Sequence, residues 1–205
     1  MKKILIAILL MVGLSAKSWS QSLVCPEHAL GVKGGITLSF MRFNPTIQTG
    51  TMPIGASAGI QYRMILERYF GLWLELNYQQ RGFTNTENLR RQWDYIELPM
   101  LAHFTFGKKM FRFYFNLGPE ISYMVKDYGG ALEEYPVANK FDYGLTGGLG
   151  FELNTRAGIY TLGGRYSFGM GNVFKNDRNP FITSGNQTIE VTFGWMWKLG
   201  KHNTF

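Results

Sequence analysis

The stretch "RQWDYIELPMLAHFTFGKKMFRFYFNLGPEISYMV", Arg91 to Val125, divides by parity. From Asp94 to Phe106 the even positions read Asp94, Ile96, Leu98, Met100, Ala102, Phe104 and Phe106. The odd positions read Trp93, Tyr95, Glu97, Pro99, Leu101, His103 and Thr105. After "GKK" the parity swaps: Phe111, Phe113, Phe115, Leu117, Ile121, Tyr123 and Val125 alternate with Arg112, Tyr114, Asn116, Gly118, Glu120 and Ser122. Side chains of a strand point alternately to opposite faces, so this is two strands joined by a tight turn. One face is continuously apolar, and the other carries single charges among glycines.

The same two-residue period recurs over Leu30–Phe40, Ile54–Leu66, Phe70–Gly82, Phe141–Leu153, Ile159–Gly171 and Gln187–Leu199. That predicts eight strands of about eleven to thirteen residues, long enough for a tilted crossing of a hydrocarbon layer. The connections alternate too. Short ones are expected at 67–69, 107–109 and 154–158, and long polar ones at 41–53, 83–91, 126–140 and 172–186. Short turns at one end and long loops at the other describe an all-β fold, an eight-stranded antiparallel up-and-down transmembrane β-barrel of outer-membrane type.

Alternation alone fits a soluble ligand-binding barrel as well; the glycines decide. The charged face carries glycine at 31, 35, 55, 59, 71, 118, 144, 148, 150, 163, 169 and 194, the apolar face only at 34, 82, 147 and 164. An eight-stranded barrel has room inside only for side chains, so the face that needs glycine is the inner one. The bulky apolar side chains then face lipid. Aromatics gather at the strand ends, as two interfacial girdles require. Phe70, Phe104, Phe106, Phe111, Phe113, Phe151, Tyr160, Trp195 and Trp197 lie towards the short turns. Phe40, Tyr78, Tyr123, Phe141, Tyr143 and Phe168 lie towards the long loops.

The inner face would hold Lys33, Arg63, Arg81, Arg112, Arg165 and Lys198 against Glu75, Glu97, Glu120, Asp142, Glu152 and Glu190. Six bases and six acids balance, and a confined interior does not tolerate them unpaired. The expectation is a salt-bridged, closed lumen; which acid meets which base depends on the barrel's shear.

Composition agrees. Of 205 residues 16% are aromatic and 17% charged, where soluble domains average about 25% charged. The N-terminal "MKKILIAILLMVGLSAKSWS" has two lysines, an apolar run and small residues before Gln21, the form of a cleaved secretory signal peptide over residues 1–20. Removing it lowers the net charge from +7 to +4. Residues 21–29 form a short periplasmic lead, 30–199 the barrel and 200–205 a tail. Lys and Arg form no patch, which argues against nucleic acid. Cys25 is the single cysteine, so no intrachain disulfide exists, and Val24 stands where a lipoprotein signal needs a small residue.

"GVKGGITLS", "YIELPMLAHF", "FNLGPEISY", "FDYGLTGGLGFEL" and "GGRYSFGMGNV" together resemble the PorT-like outer-membrane β-barrel family of Bacteroidota, in the family's order and over roughly Gly31 to Leu199. The resemblance implies the same eight-stranded barrel and, more loosely, a role in protein secretion to the cell surface. Many relatives stop at an aromatic that ends the last strand. Here "GKHNTF" follows Leu199, leaving Trp197 or Phe205 as the insertion signal.

Three functions are open at this stage. A non-enzymatic, monomeric barrel would meet the lipid bilayer with its wall and secretion or envelope proteins with its loops or periplasmic rim. Candidate contacts are Tyr128, Glu133, Glu134 and Tyr135 in one loop, and Phe174, Arg178 and Phe181 in another. A lipid-modifying enzyme needs a nucleophile with a base in reach. The three histidines are scattered: His103 is expected in the lumen, with His28 and His202 flanking the periplasmic end. A pore needs more strands than eight. One Cys and three separated His build no metal site, and no cofactor is expected. "GLTGGLG" (144–150) lies inside a strand with no helix after it, so its glycines are lumen packing rather than a phosphate cradle.

Overall fold

A computed structural model describes residues 27–44, 54–84, 90–108, 110–129, 137, 139–174 and 183–200. The expected signal peptide lies outside them. Eight antiparallel strands follow one another around a closed barrel: β1 (Glu27–Asn44), β2 (Ile54–Ile65), β3 (Phe70–Thr84), β4 (Arg90–Lys108), β5 (Phe111–Asp127), β6 (Phe141–Thr155), β7 (Gly158–Gly169) and β8 (Thr183–Leu199). β1 closes on β8 from His28↔Leu199 to Asn44↔Thr183.

The strands run further than alternation predicts, mostly at the long-loop end. β1 starts at Glu27 rather than Leu30 and continues to Asn44; β4 begins at Arg90 and β5 ends at Asp127. These extensions are polar and mixed, so they lack the period that marks a strand with one apolar face, yet they continue ladders already in register. β2 and β7 are the short strands, with twelve residues each against eighteen in β1. Around the upper end of β2, β1 reaches β3 through side chains. Thr37 Oγ1 donates to the Gln80 carbonyl at 2.8 Å; Ser39 Oγ donates to the Gly82 carbonyl at 3.0 Å and accepts from its N–H at 2.8 Å. Main-chain groups left open by the missing ladder are satisfied this way.

The faces divide as the glycines require. Leu30, Val32, Ile60, Leu76, Leu98, Leu117, Leu149, Val191 and Phe193 are exposed on the outside. Inside, the buried side chains are mostly polar or charged. The lower girdle is a belt of touching rings: Phe70–Phe104 at 5.4 Å, Phe104–Phe115 at 6.4 Å, Phe111–Phe151 at 5.3 Å and Trp195–Trp197 at 4.1 Å.

Five large strand aromatics depart from the rule that bulk points outwards. Trp73, Phe83, Trp93, Tyr95 and Tyr114 are buried inside the barrel, and inner glycines make room for Tyr114. A Cβ on Gly163 would meet Tyr114 Oη at 2.1 Å, and one on Gly150 would meet Tyr114 Cζ at 2.6 Å. On the outer face, a Cβ on Gly164 meets nothing within 4 Å. Adjacent substitutions should therefore behave oppositely. Gly163→Ala is expected to cost about 1–3 kcal/mol through overpacking, and Gly164→Ala to stay within about 0.5 kcal/mol, by urea unfolding in detergent micelles. Equal costs would mean that the two faces are equally crowded.

Candidate functional site

The lumen is filled by charge in three tiers. Nearest the short turns, Arg63 Nη2 meets Glu27 Oε1 and Arg63 Nη1 meets Glu152 Oε2, each at 2.5 Å. Glu152 Oε1 lies 3.6 Å from His103 Nε2, while His103 Nδ1 is 2.7 Å from Asn116 Oδ1. Arg112, at the rim, approaches Glu27 at 3.8 Å. In the middle tier Arg165 grips Glu75 with two parallel bonds of 2.5 and 2.7 Å, the bidentate geometry that a guanidinium favours. Lys33 Nζ joins Glu75 at 2.7 Å and Glu190 at 3.3 Å, and Arg165 Nη1 lies 3.6 Å from Glu190.

The upper tier sets one cation against three carboxylates. Arg81 Nη2 contacts Glu97 Oε1 and, at 2.7 Å, Glu120 Oε1; Arg81 Nη1 lies 3.8 Å from Asp142. Neutral donors supplement it. Ser167 Oγ donates to Glu120 Oε2 at 2.8 Å, and Asn186 Nδ2 to Asp142 Oδ2 at 3.1 Å. Arg81 also lies 5.0 Å from the Tyr95 ring centroid, a cation–π contact.

All six expected acids and five of the six expected bases join these tiers. Lys198 does not. Although on the inward parity, it sits near the strand end, where its Nζ donates to the Thr155 carbonyl at 3.2 Å, with no carboxylate in ion-pair range among the described residues. Glu27 takes the place at that rim; it precedes the first run of clear alternation, so no periodicity marked it.

Towards the long-loop mouth the described residues form an apolar cluster. Phe174, expected as an exposed loop contact, is fully buried. It packs with Val173, Met41, Phe83, Trp93, Tyr95 and Met124. Its N–H donates to Ser184 Oγ at 2.8 Å, and the Val173 N–H donates to the Ser184 carbonyl at 3.1 Å. Arg91 spans this cluster: its guanidinium lies 5.6 Å from the Trp93 ring and 5.3 Å from that of Phe174, while Nη2 pairs with Asp127 at 2.8 Å. An apolar residue in a polar loop carries no periodic signal, and burial there comes from the loop folding inwards. The nearby β4–β5 ladder shifts register between Asp94 and Tyr95, with the extra residue on β5, while β4 keeps its alternation. Trp93 and Tyr95 are buried inside, and Asp94, on the outer parity opposite Gln80, is 2% exposed because it is covered there, accepting from Tyr128 Oη at 2.8 Å. Tyr128 itself is exposed, with Lys126 Nζ 4.2 Å from its ring centroid. Glu133, Glu134, Tyr135, Arg178 and Phe181 lie outside the described residues, as do His202 and Phe205.

Among curated proteins, none matches the chain. Several solved structures are similar in shape. OprG from Pseudomonas aeruginosa, an outer membrane protein, is 12% identical with a TM-score of 0.51, over 83% of this chain and 96% of that one. Ail, the attachment invasion locus protein of Yersinia pestis, is 13% identical at a TM-score of 0.47, over 83% of this chain and 99% of that one. The outer membrane enzyme PagL is 8% identical at 0.49, over 82% and 97%. At such identities the likeness is one of fold. The family model described as outer membrane protein beta-barrel domain matches residues 19–175, well over half of the sequence, and the chain belongs to that outer-membrane β-barrel family.

Proposed function

We propose that this protein is a closed, non-enzymatic outer-membrane barrel that acts through its long-loop surface and its short-turn rim on secretion or envelope partners, the role that the PorT-like resemblance implies. The observation that carries this reading is the filling of the lumen. Three tiers of ion pairs and the Phe174 cluster leave the exposed ends as the surfaces available to a partner. Against catalysis on lipid, His103 is buried between Glu152 and Asn116, and the ring of His28 is engaged by Tyr62 Oη at 2.7 Å.

Reconstituted in a planar bilayer, the barrel is expected to show no steady current above the lipid baseline; sustained conductance steps would refute the closed lumen. Crosslinking in intact envelopes is expected to capture a secretion or envelope protein. A change in the lipid A mass profile on deletion, restored by the intact gene but not by the empty vector, would replace this reading with an enzymatic one.

A further inference from the structure

The short-turn mouth is built differently from the long-loop end. A cavity of about 860 Å³ opens there between the β2–β3 turn, the β4–β5 turn and the start of β1. Small-molecule sites span roughly 300–1,000 Å³. Arg68, Lys108 and Arg112 line it, with Glu27 as the acidic residue of the lining. Glu27 is already held by Arg63 at 2.5 Å. Among the described residues, neither Arg68 nor Lys108 has a carboxylate in ion-pair range, and Arg68 rests 5.1 Å from the Tyr69 ring centroid. The cavity thus has more positive charge than its own walls neutralise.

A second observation points to a ligand. Thr105 lines the cavity, is 2% exposed, and its Oγ1 has no hydrogen-bond partner. A buried hydroxyl left unpaired is costly, and native proteins rarely leave one so. The remaining wall is apolar, with Ile65, Tyr69, Met110 and Phe111. Tyr69 stacks on Phe106 at 5.9 Å and Phe111 on Phe151 at 5.3 Å, so the wall is continuous with the lower aromatic belt and hence with the lipid-facing surface.

From this geometry we infer that the short-turn mouth binds an anionic amphiphile, with a carboxylate or phosphate head between Arg68 and Lys108, an acceptor oxygen reaching Thr105 Oγ1, and an acyl chain along Tyr69 and Phe111. A bare anion would leave the apolar wall uncovered. A neutral hydrocarbon would leave the cations and the Thr105 hydroxyl unmet. In the orientation of outer-membrane barrels the short turns face the periplasm, so the head would sit at the inner leaflet's surface. This inference is independent of the lumen's closure and stands or falls on binding alone.

The test uses the full mature barrel in a nonionic detergent, with retained adducts and affinities read by native mass spectrometry. Probes are palmitate and dioleoyl phosphatidate, with hexadecyltrimethylammonium as the cationic counterpart and inorganic phosphate as the head alone. At least one anionic amphiphile is expected to bind about tenfold or more tightly than the cationic probe and than inorganic phosphate. Palmitate alone would mark a free fatty acid as the source, phosphatidate alone a leaflet lipid, and both the shared head chemistry. The double variant Arg68→Gln/Lys108→Gln is expected to lose about tenfold and Thr105→Val about threefold, each keeping the heat-modifiable gel mobility of a folded barrel. The double variant changes only exposed residues, Arg68 in a turn and Lys108 at the end of β4, so a fold defect in Thr105→Val leaves the test intact. No retention of either anionic probe, equal retention of the cationic probe, or undiminished affinity in a folded double variant would overturn the inference.

Discussion

Replacing Arg81 with Met is expected to destabilise the barrel by about 3–5 kcal/mol, the cost of leaving buried charge without its partner. The upper tier makes this the most exposed position electrostatically. Glu97, Glu120 and Asp142 face the single Arg81 guanidinium, and its removal leaves Glu120 the Ser167 hydroxyl and Asp142 the Asn186 amide and the Gly171 and Tyr143 N–H groups as neutral donors. Arg165→Met is expected to cost less, because Lys33 still contacts both Glu75 and Glu190 in the middle tier. Urea unfolding in micelles, followed by Trp fluorescence and gel mobility, gives the order. A folded triple variant, Arg81→Met with Glu97→Gln and Glu120→Gln, should recover most of the loss, since the two carboxylates closest to Arg81 are then neutral and Asp142 keeps neutral donors from Asn186, Gly171 and Tyr143. If Arg81→Met were as stable as wild type, the upper tier would be wet enough to screen its charges, and the sealed interior would have to be abandoned.

Val191→Arg is the second large effect, and it interrogates the opposite face. Val191 lies on the outer face in the middle of β8, 46% exposed and paired with Ile36 and Gly164. A cation at the midplane of a lipid-facing barrel wall costs about 2–4 kcal/mol, falling to about 0–1 near the interfaces. Leu199→Arg, at the short-turn end of the same strand, is accordingly expected to be nearly neutral. The gradient is the measurement. Equal and small costs at both positions, in liposomes, would show that this face does not look into hydrocarbon.

Much of this arrangement was legible in the residues, and the exceptions share one cause. Period-two alternation with glycines on one face carried the closed barrel, its orientation and the inward set of charges, because a one-residue slip would expose every charge to lipid. The pairing of Arg165 with Glu75 was not readable, since partners ninety positions apart meet through the stagger of the whole barrel. Asp94 keeps the outer parity, but its burial there was not readable, because Tyr128, thirty-four positions on, covers it. Phe174 was misplaced because loop burial depends on what the loop folds onto, here Trp93 and Ser184, rather than on local sequence. The apolar wall and unpaired hydroxyl of the short-turn mouth draw on turns from three separate strand ends, which no linear window contains.

The ladder between β1 and β8 also sets how such a chain can be assembled. Its seventeen residue pairs join positions separated by almost the whole described length, so loop-closure entropy must be met before they contribute. Until then the first and last strands are both unpaired edges, open to pairing with other chains. Closure should therefore be the slow, final event of biogenesis, and an insertion machine that shields those two edges would speed maturation more than one that assists any single hairpin.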